Sequence, residues 1–316
     1  VKEIIPFLPE PFQKVITCMP VEQLALLEEI RCRAGRPLEL IVSGKVWHPD
    51  EGVLPVLSLT QAKEMLQKMG NYSLYALDEE LKRGYVTISG GHRVGLAGRV
   101  ITQNGHVLRI RDVTCFNIRL ARQKIGAALP LVPFLYQKGS WLSTLIIGAP
   151  QTGKTTLLRD LARIISEGIP ARYIEAKKTG IVDERSEIAG CIQGVPQNRL
   201  GVRVDVLDAC PKAEGMMMLI RSMSPEVLIV DEIGRQEDTE ALFEAMNAGV
   251  AVIATAHSSS LMQLKRRPSF RSLLDQHLFD RYIQLSRKMK AGASGCRLTL
   301  YDKAFKPLSA VQEVWQ

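Results

Sequence analysis

The chain has no apolar run approaching the ~20 residues that span a bilayer; its longest apolar stretches, around 142–149 and 248–254, are short and end in Gly or polar residues. No charged segment followed by an apolar one opens the sequence, so neither a secretory leader nor a membrane span is expected. Its first residue, Val1, suggests an alternative initiator or a trimmed chain and carries no functional message. Six cysteines occur, Cys18, Cys32, Cys115, Cys191, Cys210 and Cys296, and none form a CxxC pair. That spacing lacks the ligand pairs of a zinc site and the density of a disulfide framework, so reduced, mostly buried thiols are expected. Aromatics are only 6% and do not interleave with basic residues. A stacking groove for single-stranded nucleic acid is therefore not expected. The densest basic tract is the short KRRP at 265–268, so the net charge of +8 reads as ordinary surface charge.

What is present is globular composition. Of 316 residues, 46% are hydrophobic and 23% charged. That is enough apolar material for about two domains. The patterning divides the chain into an N-terminal α+β domain over 1–125, a linker with a short helix over 126–142, and an α/β domain over 143–316. In the first, residues 1–36 read as amphipathic helix, with Leu24, Leu26, Leu27 and Ile30 near helical spacing and Pro37 as the stop. LELIVSG (38–44) and KVWH read as a strand and its hairpin partner. Residues 60–83 return to helix, with Thr60 as its cap. Residues 84–120 read as β-rich, and Asn104–Gly105 is a two-residue hairpin signal. From 143 onward an apolar strand, a Gly-rich loop and a helix recur, which is the pattern of a parallel sheet.

The strongest motif is GAPQTGKTT, 148–156, which matches GxxxxGK[ST] and stands between an apolar strand at 143–147 and a helix whose apolar face is Leu157, Leu158, Leu161, Ile164 and Ile165. Gly148, Ala149, Pro150, Gln151, Thr152 and Gly153 form a loop whose backbone N–H groups can curl inward around phosphate oxygens. The helix N-terminus adds its partial positive charge. Lys154 is expected on the β and γ phosphates, the Thr155 hydroxyl on Mg²⁺, and Thr156 at the α phosphate. ATP and Mg²⁺ are thus the expected substrate and cofactor.

Three further apolar strands end in polar residues. In SPEVLIVDEIGR (224–235), Asp231 is expected to hold Mg²⁺ and Glu232 to polarise the attacking water. TGIVDERSEIAG (179–190) offers Asp183, Glu184 and Glu187 for a second catalytic carboxylate; alone, such acids are as well read as a solvated strand end. NAGVAVIATAHSS (247–259) ends in His257, expected to sense the γ-phosphate, although a single His is commonly structural. Residues 172–182 fit one strand or two, and 192–215 reads as a long loop rich in Gly and Pro.

In order, GAPQTGKTT, IVDERSE, VLIVDEIGR and ATAHSS resemble the motifs of the secretion ATPase superfamily, which includes the type II and type IV secretion and pilus motors. EIRCRAGRPLEL (29–40), GYVTISGGHRVGLAGRV (84–100) and DVLDACPKAEGMMMLIRSMSPEVLIVDEIGR (205–235) carry a narrower resemblance, to the stage III sporulation branch. The resemblance implies a RecA-like P-loop NTPase domain preceded by a smaller N-terminal domain. It implies a hexameric ring, and an ATPase made in the cytoplasm of the mother cell that energises a secretion-like channel to the forespore. Membrane proteins of the same operon would recruit it to the membrane around the forespore. In that family, arginines of the N-terminal domain approach the phosphates; Arg93, Arg109 and Arg111 are the matching residues here, with Arg119 next. Two departures stand out: Asp231-Glu232 replaces Gly-Glu, and Asp183-Glu184-Arg185 replaces Glu-Asp-Pro, which leaves the assignment among these acids open. A RecA-like nucleic-acid motor and a nucleotide-binding scaffold with little turnover are the competing functions.

Overall fold

The computed structural model describes residues 1–49, 54–70, 78–290 and 293–311. It divides into two compact units, Val1–Arg122 and Gln123–Gln316.

In the first unit, helices α1 (Glu10–Thr17) and α2 (Val21–Leu26) precede strands β1 (Leu27–Arg33), β2 (Glu39–Val42) and β3 (Lys45–Trp47). Helices α3 (Leu59–Met69) and α4 (Asp78–Arg83) follow, then β4 (Tyr85–Ile88), β5 (His92–Gln103) and β6 (His106–Arg119). The strands form one antiparallel sheet in the order β3-β2-β1-β6-β5-β4. One face is apolar: Ile30, Cys32, Leu40, Val94, Phe116 and Ile118 share a core with Phe12 and Ile16 of α1 and Met65 of α3. The helix expected over 1–36 is corrected here, because Leu27–Arg33 is strand. A bulge in β1 between Leu27 and Glu29 sets Leu27 and Ile30 three residues apart, a spacing that imitates a helix. The α3 cap is Ser58, not Thr60: its hydroxyl accepts from Gln61 N–H while the Gln61 side chain accepts from Ser58 N–H. Asn104 and Gly105 do close the β5–β6 hairpin, at φ 51° and 77°.

The second unit begins with α5 (Val132–Leu135) and the short hairpin β7 (Tyr136–Gln137) and β8 (Ser140–Trp141). Ala128, Leu131, Val132, Leu135 and Trp141 lie in its core, so the stretch read as a linker is built into this unit. Then come β9 (Thr144–Gly148), α6 (Lys154–Glu167), β10 (Thr179–Asp183), β11 (Val204–Asp208), α7 (Lys212–Met223), β12 (Val227–Val230), α8 (Gln236–Asn247) and β13 (Ala251–His257). Helices α9 (Leu261–Lys265) and α10 (Pro268–Asp275) lead to β14 (Arg281–Lys290), β15 (Ala293–Asp302) and β16 (Pro307–Val311). The sheet order is β11-β10-β12-β13-β9-β14-β15-β16. Its first six strands are parallel, and β15 and β16 extend the β14 side antiparallel. Residues 172–182 hold one named strand, β10. The expected loop over 192–215 contains β11 and the start of α7, a strand too short and too polar to stand out from its Gly- and Pro-rich surroundings.

Both faces of this sheet are covered, which is why its strands are continuous apolar runs. Ile146, Ile181, Ile229 and Ile253 face the core containing Leu157, Leu161 and Ile165 of α6. Leu145, Val182, Leu228, Val230 and Val252 face the other, with Leu219 of α7, Leu242 of α8 and Leu273 of α10. Parallel pairing brings the C-terminal ends of β10, β12, β13 and β9 to one edge, where open α/β sheets bind ligands.

Candidate functional site

The phosphate loop runs from the end of β9 to the start of α6. Its shape depends on close approach. A Cβ on Gly148 would lie 2.4 Å from Thr152 Oγ1 and 3.1 Å from Leu285. Gly153, at φ 90°, turns the chain into the helix, and Gln151 also lies in the left-handed region at φ 60°. Thr152 Oγ1 donates to Ala149 O at 2.8 Å and ties the loop across its base. Lys154 Nζ donates to Gly148 O at 2.9 Å and Ala149 O at 3.0 Å, so the ammonium lies across the loop. Partial burial lowers its pKa, opposed by the charges of Asp231, Glu232 and Glu187. Thr156 is the third residue of α6, and Pro150 is exposed at the loop tip.

Sheet register assembles the rest. Val230 of β12 pairs with Ala254 of β13, which sets Asp231 and Glu232 beside Thr255. The Thr255 hydroxyl donates to Asp231 Oδ1 and accepts from Glu232 N–H at 2.8 Å. Its carbonyl accepts from Ile233 N–H at 2.8 Å. These bonds hold Glu232 at φ 44°, an uncommon conformation for a residue with a side chain. The Thr155 hydroxyl donates to Asp231 Oδ2 at 3.3 Å, so the helix and β12 contribute oxygens to one spot. Two hard oxygens beside a phosphate loop suit Mg²⁺, which keeps several waters and needs few protein ligands. Among the described residues, no group of three or more His, Cys, Asp and Glu could hold a metal on its own.

The acids after β10 separate in their surroundings. Asp183 is 1% exposed and accepts from the N–H groups of Glu187, Ile188 and Ala189 at 2.8, 3.0 and 2.8 Å. Burial pushes its pKa up to about 6 against those bonds. It therefore staples the turn that follows, rather than facing solvent. Glu184 pairs with Lys212 at the start of α7. Glu187 acts electrostatically on Lys154. Glu232 pairs with Arg185, Nη1 to Oε2 at 2.8 Å. His257 is the last residue of β13 and pairs in register with Gly148, at the mouth of the loop.

Of the first unit's candidate arginines, Arg93, Arg109 and Arg119 hold partners within that unit. The Arg93 guanidinium stacks 3.6 Å over the Tyr85 ring. Arg109 pairs with Asp78 at 2.8 Å and Arg119 with Glu29 at 3.6 Å. Arg111 is exposed on β6.

Three residues emerge only in three dimensions. Thr255 joins Asp231 and Glu232; Arg185 holds Glu232; and Arg159 of α6, 8% exposed, donates to Ile188 O at 2.8 Å and Glu187 O at 2.5 Å. On a helical wheel Arg159 falls opposite the apolar face of α6, so residue spacing alone gives no sign of its burial. Asp160 accepts from Gly126 N–H at 3.1 Å and Ala128 N–H at 2.8 Å.

The chain is similar to known proteins over nearly its whole length. Stage III sporulation protein AA of Bacillus subtilis (strain 168) is 56% identical over 308 residues, 97% of this chain and 97% of that protein. Of solved structures, the Legionella pneumophila ATPase DotB superposes with a TM-score of 0.59 at 14% identity, covering 93% of this chain and 82% of that one. The pilus retraction motor PilT, with bound ADP, gives a TM-score of 0.62 at 16% identity, covering 89% and 81%. At these identities the two structures establish the fold, the RecA-like fold of secretion ATPases with a separate antiparallel N-terminal sheet. A family model, described as sporulation stage III, protein AA, matches residues 2–305, and the chain belongs to that family.

Proposed function

We propose that the protein is a Mg²⁺-dependent ATPase that energises a secretion-like channel between mother cell and forespore. One observation carries this reading. Thr155 and Asp231 bring two oxygens within 3.3 Å at the foot of a phosphate loop whose lysine lies across it. The loop's N–H groups and the α6 N-terminus bind the phosphates. Lys154 leaves the carbonyls of Gly148 and Ala149 for the β and γ phosphates. Thr155 and Asp231 would hold Mg²⁺, which when bound would supply positive charge beside the phosphate oxygens. Glu232 accepts a proton from the attacking water, and His257 reads the γ-phosphate from the adjoining strand end. Glu187 orients groups near the lysine; Asp183 holds the turn after β10, and Glu184 ties that turn to α7.

Further parts of the proposal come from the family. The protein works as a homo-oligomeric ring, in which Arg93, Arg109 or Arg111 of a neighbouring copy contacts the phosphates. It acts in the mother-cell cytoplasm, held at the membrane by embedded partners. Among the described residues, no helix is long and apolar enough to cross a membrane.

Steady-state phosphate release by wild type, Lys154→Ala and Glu232→Gln tests the chemistry, with mass measured in the same buffer. Both variants should lose turnover by about 10²–10³-fold. Glu232→Gln should still bind ATP. Wild type that binds ATP without turnover, even with the soluble part of a membrane partner, would leave the protein as a nucleotide-binding scaffold.

A further inference from the structure

Two cations flank the phosphate site, and both rest on protein acceptors. Lys154 lies on the carbonyls of Gly148 and Ala149. Arg185 lies on the carboxylate of Glu232, at 2.8 Å. The second contact follows from the sheet. Val182 of β10 pairs with Val230 of β12, and Arg185 and Glu232 stand just past those paired residues. The backbones at both ends are fixed. Glu232 is held by Thr255 through its own N–H and the next one. The turn bearing Arg185 is stapled by the buried carboxylate of Asp183. What can move is the pair of side chains.

Magnitudes decide which way they move. The side chains are 58% and 41% exposed, so their ion pair is worth at most about 1 kcal/mol. A guanidinium on a phosphate makes two parallel charge-assisted bonds, which is the stronger arrangement. A terminal phosphate seated in the loop therefore outcompetes the carboxylate. We infer that Arg185 is a clamp displaced by nucleotide: it holds Glu232 until a γ-phosphate draws it away, which releases the carboxylate to meet water. Arg185 is thus a positioning residue for Glu232 and a reader of ATP against ADP. This rests on the ATPase reading above.

The test is binding, so it does not depend on turnover. Dissociation constants with Mg²⁺ are measured for ADP and for an ATP analogue with a non-hydrolysable β–γ bridge. The proteins are wild type, Lys154→Ala, Arg185→Ala, Arg185→Lys, Glu232→Gln and the Arg185→Ala/Glu232→Gln double variant. Arg185→Ala should weaken the analogue about fivefold and leave ADP within about twofold. Arg185→Lys should recover part of the loss. Glu232→Gln removes the competing charge, so it should bind the analogue more tightly than wild type, and the gain should vanish in the double variant. If Arg185→Ala weakens ADP and the analogue alike, or the Glu232→Gln gain persists without Arg185, the clamp is wrong. Binding that is lost in Lys154→Ala yet untouched by Arg185→Ala keeps the ATPase reading and overturns the clamp. No nucleotide binding by wild type overturns both.

Discussion

The two sheets of this protein handle charge in opposite ways. In the first unit the sheet is antiparallel with one apolar face, and its charged residues pair locally near solvent: Arg33 with Glu39, Arg109 with Asp78, Arg119 with Glu29. In the second unit the sheet is parallel and covered on both faces, and Asp160, Asp183 and Arg159 sit deep with several partners each. Exposed pairs are worth little and are easily exchanged. Buried, fully bonded groups are costly to disturb and hold geometry. The difference separates surfaces that can swap partners from the frame on which chemistry can be built.

Removing a buried staple should have the largest effect. Asp183→Ala strands three N–H groups, two of them buried, and should cost about 3 kcal/mol in chemical denaturation. That loss should depend on pH. The folded pKa of about 6 lies above the ordinary 3.8, so the native state binds the proton more tightly than the unfolded chain. This contribution to stability is fully present below about pH 4 and is lost as pH rises through about 6. The difference between wild type and Asp183→Ala should accordingly be larger at pH 5 than at pH 8. A pH-independent difference would mean that the carboxylate is not buried as described.

Thr255→Val keeps the shape and removes the hydroxyl that joins Asp231 to Glu232 N–H. Phosphate release should fall about 100-fold, with a stability loss of about 1–3 kcal/mol. Turnover within twofold of wild type would show that the Asp231–Glu232 geometry does not need this bridge. Gly148→Ala forces a Cβ against Thr152 and Leu285 and should cost about 1–3 kcal/mol. Nucleotide binding should weaken with it, since the loop must open to admit the methyl group.

The smallest effect is expected in the first unit. Arg109→Ala breaks a pair whose side chains are 43% and 41% exposed and should change stability by under about 1 kcal/mol. If it nonetheless lowers phosphate release by 100-fold, Arg109 contacts the phosphates. Arg93→Ala and Arg111→Ala, measured in the same way, show whether either shares that role.

Legibility from sequence follows the same division. The second unit could be read because its strands are long apolar runs and its loop motif demands a particular strand and helix on either side. Thr155 and Asp231, from motifs far apart in the sequence, come within hydrogen-bond distance of each other. Asp183 could not be told from a solvated strand end, because what distinguishes it is three N–H groups donated by the turn that follows. In the first unit the β1 bulge imitated helical spacing, and so the strand at Leu27–Arg33 was hidden. The short β11 was hidden for want of hydrophobic residues; it is a strand because β10 offers it a partner.

By itself, the sequence determined the parallel α/β architecture, the phosphate loop and the identity of the oxygens beside it, since local patterns of burial and backbone freedom are written residue by residue. Only the tertiary structure decided that Thr255 bridges Asp231 and Glu232, that Asp183 faces inward, and that Arg185 rests on Glu232. The first and last contacts join residues tens of positions apart, and sheet register sets them; Asp183 turns inward onto N–H groups of the turn that follows it, a turn that residue spacing alone does not reveal.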